Sequence, residues 1–123
     1  MPGIVFLFRD PKKEPSLYTI ADSLRNTIPG SMTFPIIQSL VESVITVTEE
    51  EIWEALRWVF LRLKLVIELS SAVPLAALMS GKLPEDAYRV GVIVSGGNIN
   101  PPVLARIMGK QPAPDEEVHS YYY

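Results

Sequence analysis

The residues with the clearest capacity for chemistry lie in the run Ser95-Gly96-Gly97-Asn98, which follows the apolar stretch Val90-Gly91-Val92-Ile93-Val94. Two adjacent glycines leave no Cβ in the way, so a flat or anionic ligand can come close to the backbone. Ser95 adds a hydroxyl that can donate or accept a hydrogen bond. In open parallel α/β sheets, ligands bind beyond the carboxyl ends of the strands, which is where this run would stand. The same residues could equally form a turn that only reverses the chain. A nucleotide-phosphate loop fits less well, because no helix follows the glycines directly. His119 is the sole histidine and the chain has no cysteine, so thiolate chemistry, disulfides and a histidine-based metal cluster or triad are excluded.

Several elements must position that run. Ile4 to Phe8 reads as a short buried strand and Val44 to Val47 as a β-branched one. Val90 to Val94, apolar on both faces, reads as a parallel strand covered on each side. The spacing of Ile36, Ile37, Leu40 and Val41 predicts a helix over 34–43, with Thr33 as its N-cap. Thr48 and Glu51 form a capping box flanked by Val47 and Ile52, which opens a helix expected to run to about Ile67. Trp53 and Trp58 widen its apolar surface and read as packing residues. Ser70 to Ser80 is rich in small residues and reads as a closely packed helix ended by Gly81, with Pro74 suited to its first turn. Asn100 caps a last helix that holds Pro101 and Pro102 in its first turn and runs to Gly109. A short helix is possible at 20–24.

The fold class that follows is α/β, a partial three-layer sandwich with a mainly parallel sheet. Three strands are few for such a sheet, so residues 1–110 read as an incomplete domain, followed by a disordered tail over 111–123. The chain has 123 residues, a net charge of −3 and 48 % hydrophobic residues. Its longest basic block is Lys12-Lys13, too little for a nucleic-acid binder. No apolar stretch approaches the ~20 residues that span a bilayer, and no secretory leader is visible, so a cytoplasmic protein is expected.

Five segments, in order and in register, resemble the fold-type-II pyridoxal-phosphate enzymes, tryptophan synthase β-like proteins, and within them the serine racemase and threonine/serine dehydratase branch. They are Thr19 to Leu24, Thr33 to Ile37, Val44 to Ile52, Lys64 to Glu68 and Val92 to Asn98. The resemblance implies pyridoxal 5′-phosphate as cofactor. It places Ser95 at the pyridine nitrogen, Glu68 near the same end of the ring, Gly96, Gly97 and Asn98 in the loop beside it, and Asp22 and Ser23 in a turn lining the site. A hydroxyl partner, in place of a carboxylate, leaves the ring nitrogen less protonated, which suits loss of a β-hydroxyl and release of ammonia.

The departures are equally specific. The family's Ser-x-Lys-x-x-Gly motif, which carries the Schiff-base lysine, its glycine-rich phosphate loop and its acidic cation cluster do not occur in these 123 residues. Ser23 stands where the family has glycine, and Leu69-Ser70-Ser71 replaces a proline-serine-glycine run. The expectation is a fragment of a dehydratase or racemase, inactive alone and with no catalytic or metal-ligating residue of its own. Its partner would be a complementary N-terminal chain or a second copy. The alternative is a non-catalytic interaction protein that keeps part of the fold.

Overall fold

The computed structural model describes the backbone of residues 4–7, and residues 19–25 and 30–109 in full. Phe8, the Lys12-Lys13 pair, His119 and the 111–123 tail lie outside the described residues.

Strand β1 (Ile4–Leu7) pairs in parallel with β2 (Val41–Ile45), with Ile4 opposite Val41 and Leu7 opposite Ile45. Between them runs helix α1 (Thr33–Leu40). The helix is shorter than expected, and Val41, Glu42 and Ser43 belong to β2 instead. Val41 takes an extended backbone as the cap of α1, and from there Val41, Ser43 and Ile45 face inward while Glu42 and Val44 face out. Pairing with β1 along this length outweighs the weak helical pattern of 41–43. Thr33 does not cap α1; its hydroxyl donates to the Gly30 carbonyl, and Met32 holds the cap position without a side-chain bond.

Helix α2 (Glu49–Trp58) begins at the capping box as expected. Thr48 Oγ1 accepts the Glu51 N–H at 3.2 Å, and Glu51 Oε2 accepts the Thr48 N–H at 2.7 Å. Val47 and Ile52, the pair flanking the box, are both buried. The helix does not reach Ile67. It widens into one turn of π-helix over Val59–Leu63 and stops at Lys64, which adopts a left-handed backbone (φ 58°). Residues 64–68 are neither helix nor strand, Glu68 at their end is extended, and Ile67 alone among 65–67 turns into the core.

Helix α3 (Leu69–Met79) starts earlier than Pro74 would favour, so that the proline stands in its second turn. Its end matches the expected glycine stop. Gly81 has φ 68°, its N–H reaches the Leu78 carbonyl, and the Lys82 N–H reaches that of Ala77, a complete Schellman motif. Helix α4 (Pro101–Ile107) is capped by Asn100, whose side chain accepts the Val103 N–H at 3.3 Å.

The core lies between α2 and α3, and α4 closes one side. Ala55, Ala72 and Ala76 are fully buried, and these small residues let the two helices approach closely around Leu56 and Val59. Trp53 packs half-buried on this core under the Arg106 guanidinium, 4.0 Å from the ring centre. Trp58, expected to pack, is 44 % exposed.

Residues 90–94 form no strand, against the sequence expectation. None of their backbone groups bonds to another described residue, and Ile93 is 83 % exposed. A strand apolar on both faces needs neighbours along both edges, and neither described strand lies beside it.

Candidate functional site

Three parts of the chain converge on the run Ser95–Asn98, which is neither helix nor strand: the segment 19–25, the start of α3, and residues 66–68. The segment 19–25 is pinned from several sides. Thr19 is buried, and its hydroxyl accepts the Ala21 N–H at 3.2 Å. Ala21 lies in the core, and the Ile20 N–H donates to Glu49 Oε2 at 3.0 Å in the first turn of α2. The Arg25 guanidinium spans back to the Thr19 carbonyl through two hydrogen bonds, at 3.0 and 3.2 Å. A 3₁₀ turn over Asp22–Leu24 follows, and it presents Ser23 to the start of α3.

Glu68 occupies the N-cap position of α3, where its carbonyl accepts the Ser71 and Ala72 N–H groups. The buried side chain of Ile67 holds this corner in place. The Glu68 N–H donates to the Gly96 carbonyl at 3.1 Å, and the Gly96 N–H donates to the buried Ser71 hydroxyl at 2.9 Å. Both polar groups of the Gly96 backbone are therefore tied to α3 and the residue before it. The Glu68 carboxylate accepts the Ser23 hydroxyl at 3.0 Å. The Ser23 N–H donates to Asp22 Oδ1 at 2.9 Å and to Ser70 Oγ at 3.1 Å, and the Ser70 hydroxyl reaches Asp22 Oδ1 at 3.5 Å.

A side chain at either glycine would meet a neighbour. A methyl on Gly96 would overlap the Glu68 carboxyl group, and one on Gly97 would stand 3.2 Å from the Val66 carbonyl oxygen. Ser95 and Asn98 are exposed, and neither side chain makes a hydrogen bond to another described residue.

The structure thus brings Asp22, Ser23, Glu68 and Gly96 into one hydrogen-bonded cluster, with Ser95 and Gly97 on either side of Gly96. Asn98 lies at the outer end of the turn. Sequence reasoning missed the parts played by Ser70 and Ser71, which it met only as departures from a pattern. A polar residue leading the small-residue stripe Ala72, Ala76 and Ala77 was the available signal, since such a buried hydroxyl demands a partner.

A concavity of about 320 Å³ lies elsewhere, between α2, the π-turn and the end of α3, lined by Glu54, Arg57, Trp58, Leu61 and Met79 among others. It shares no residue with the turn. At its edge the Lys82 ammonium meets Glu51 Oε2 at 2.7 Å. Partial burial pushes the Glu51 carboxyl up, but the hydrogen bond from Lys82, the Thr48 amide and the ammonium charge together outweigh it, so that the group titrates below its ordinary value. Among the described residues, no helix is long and apolar enough to cross a membrane.

Comparison with known proteins shows the family of the chain. Serine racemase of Dictyostelium discoideum is 45 % identical over 92 residues, a match that covers 73 % of this chain and 28 % of that protein. L-threonine ammonia-lyase of Geobacter sulfurreducens is 42 % identical over 86 residues, covering 70 % of this chain and 21 % of the relative. The solved structure of maize serine racemase superposes with a TM-score of 0.67 at 36 % identity, over 79 % of this chain and 31 % of that one. The chain spans between a fifth and a third of the length of these relatives. Residues 6–96 match the family described as "Pyridoxal-phosphate dependent enzyme", and with three quarters of its length inside that match the chain belongs to this family.

Proposed function

We propose that this chain supplies the ring-nitrogen end of the cofactor site in a pyridoxal-phosphate-dependent serine/threonine dehydratase (ammonia-lyase) or serine racemase. The observation that carries the reading is the convergence of Ser23, Glu68 and Gly96, far apart in sequence, on the turn that begins at Ser95.

The residues present fit one end of the group. Gly96 and Gly97 keep the turn free of Cβ atoms, and the Ser95 hydroxyl beside them is exposed with no partner among the described residues. Bound there, the cofactor would act as the electron sink for breaking a bond at the substrate Cα. Ser95 would bind the ring nitrogen through a neutral hydroxyl, which stabilises a proton there less than a carboxylate would. Glu68 would present its carboxyl group at the same end. Asp22 and Ser23 would line the turn, and Asn98 would offer its amide at the rim.

The covalent attachment and the phosphate contacts are not explained by these residues, for the sequence has no Ser-x-Lys-x-x-Gly motif and no second glycine pair. Those parts would come from a complementary segment, and this chain alone would not turn over amino acids. The test mixes the chain with a polypeptide that carries the lysine motif and phosphate loop of a dehydratase. Visible cofactor absorbance and ammonia release from serine or threonine, both reduced by Ser95→Ala, are expected. A stable complex of the two without absorbance or ammonia refutes the reading.

The exposure of Val90, Ile93 and Val94 favours a second reading, a non-catalytic interaction protein that uses this fold for association. It requires association that is indifferent to pyridoxal phosphate.

A further inference from the structure

We infer that Ser23 is a positioning residue for Glu68: its hydroxyl fixes the carboxylate over Gly96 and so sets which carboxylate oxygen a ligand at the turn can meet. The inference rests on the reading that this turn seats the cofactor.

A half-exposed glutamate ordinarily samples several staggered rotamers, and fixing one costs side-chain entropy. Here the choice is made by one bond, from Ser23 Oγ to Glu68 Oε1 at 3.0 Å. No other described side chain donates to that carboxylate. Ser23 can do this because its own N–H is held by Asp22 Oδ1 and Ser70 Oγ, which fixes the direction of its Cβ. The carboxyl group then fills the space over Gly96 that a methyl would need, with Cδ and both oxygens in the way. Gly96 cannot recoil, because its N–H is bound by buried Ser71 and its carbonyl by the Glu68 N–H. Hydroxyl, carboxylate and glycine therefore interlock, although Ser23 and Gly96 share no hydrogen bond. Oε1 already accepts from Ser23, and Oε2 is the oxygen with no donor among the described residues.

A side chain that merely packs at position 23 would leave Gly96 indifferent to it. One that holds Glu68 over Gly96 couples the two positions through the carboxylate. The test is a double-mutant cycle in the full chain, followed by urea unfolding. Gly96→Ala has to eject Glu68 and break its bond to Ser23; after Ser23→Ala that bond is already absent. The fall in folding equilibrium constant caused by Gly96→Ala should be at least about fivefold larger with Ser23 present than in the Ser23→Ala background. Ser23→Thr, which keeps the hydroxyl, should keep the coupling. A second readout needs no unfolding transition: the carboxyl-carbon NMR signal of Glu68 should move on Ser23→Ala and return on Ser23→Thr.

Additive effects at 23 and 96, or a Glu68 signal unmoved by Ser23→Ala, overturn the inference. If the double variant does not fold, the signal in the single variants decides. Failure of the cofactor reading shows separately, as absent absorbance in the mixing experiment while the coupling persists.

Discussion

Substituting Gly97 by alanine probes the backbone packing under the turn, since the obstacle there is main chain and cannot rotate away. The added methyl would stand 3.2 Å from the Val66 carbonyl oxygen, a few tenths of an ångström inside ordinary contact. Val66 is exposed, but it is anchored on both sides. Lys64 is fixed in a left-handed conformation before it, and buried Ile67 and the Glu68–Gly96 hydrogen bond follow it. Relief must therefore stretch that bond or lift Ile67 from the core. Overpacking of this kind costs ~1–3 kcal/mol, while replacing glycine by alanine in an unstrained conformation returns ~0.4–1 kcal/mol through the unfolded chain. The net expectation is about 1 kcal/mol of destabilisation, a fall in Tm of roughly 3–5 °C for a chain of this size. Gly91→Ala is the control, because nothing lies within 4 Å of a methyl there. Its Tm should be unchanged or slightly raised. Thermal unfolding followed by circular dichroism, at one protein concentration, measures both. Should Gly97→Ala prove as harmless as Gly91→Ala, the Val66 carbonyl does not press on Gly97 and the close packing of 66–68 against it is refuted.

Leu56→Ala, at a fully buried side chain between α2 and α3, should lower stability by about 2–5 kcal/mol in urea unfolding, the cost of lost burial plus a cavity. The Glu51 carboxyl titrates below its ordinary value in the folded chain, so its contribution is present above the unfolded value of about 4.3 and is lost as pH falls through the folded one. The stability gap between the native chain and Glu51→Gln should therefore hold steady from pH 7 to about 5 and close below that; a gap unchanged at pH 3 would refute the assignment. Ile93→Lys should shift the chain toward monomer in sedimentation velocity, because it places a charge in the most exposed part of an apolar stretch.

What could be read from sequence sorts by the range of the interactions involved. The Thr48–Glu51 box, the glycine stop at Gly81 and the Asn100 cap are decided by residues within four or five positions of one another, and all three are present. The end of α2 was not legible, because nothing local marks Lys64 as left-handed. The apolar periodicity that suggests helix as far as Ile67 is met instead by a stretch outside helix and strand that still buries Ile67. Pro74 was placed by its local cost, and burial of Ser71, Ala72 and Val73 on α3 overrides that cost. The apolar face expected on α1 is mostly solvent-facing, with Ile36 and Leu40 each 58 % exposed, since periodicity shows a face without showing what covers it.

The site divides in the same way. Residue types marked Ser95, Gly96 and Gly97 as a place where a ligand could approach, and the family pattern added Asp22, Ser23 and Glu68. Their joining depends on hydroxyls at 23, 70 and 71, and a serine's type does not reveal its partner. The turn is held firmly only from its Gly96 side. The stretch that leads into Ser95 has no backbone partner among the described residues, and its apolar side chains face solvent. Whatever pairs with Val90–Val94 would satisfy those backbone groups, cover Ile93 and fix the direction of the Ser95 hydroxyl in one event. If the proposed cofactor reading holds, covering residues 90–94 and completing the seat for the ring are the same physical step. On that reading, cofactor affinity in an absorbance titration should rise only when residues 90–94 are paired, and equal affinity with them unpaired would refute it.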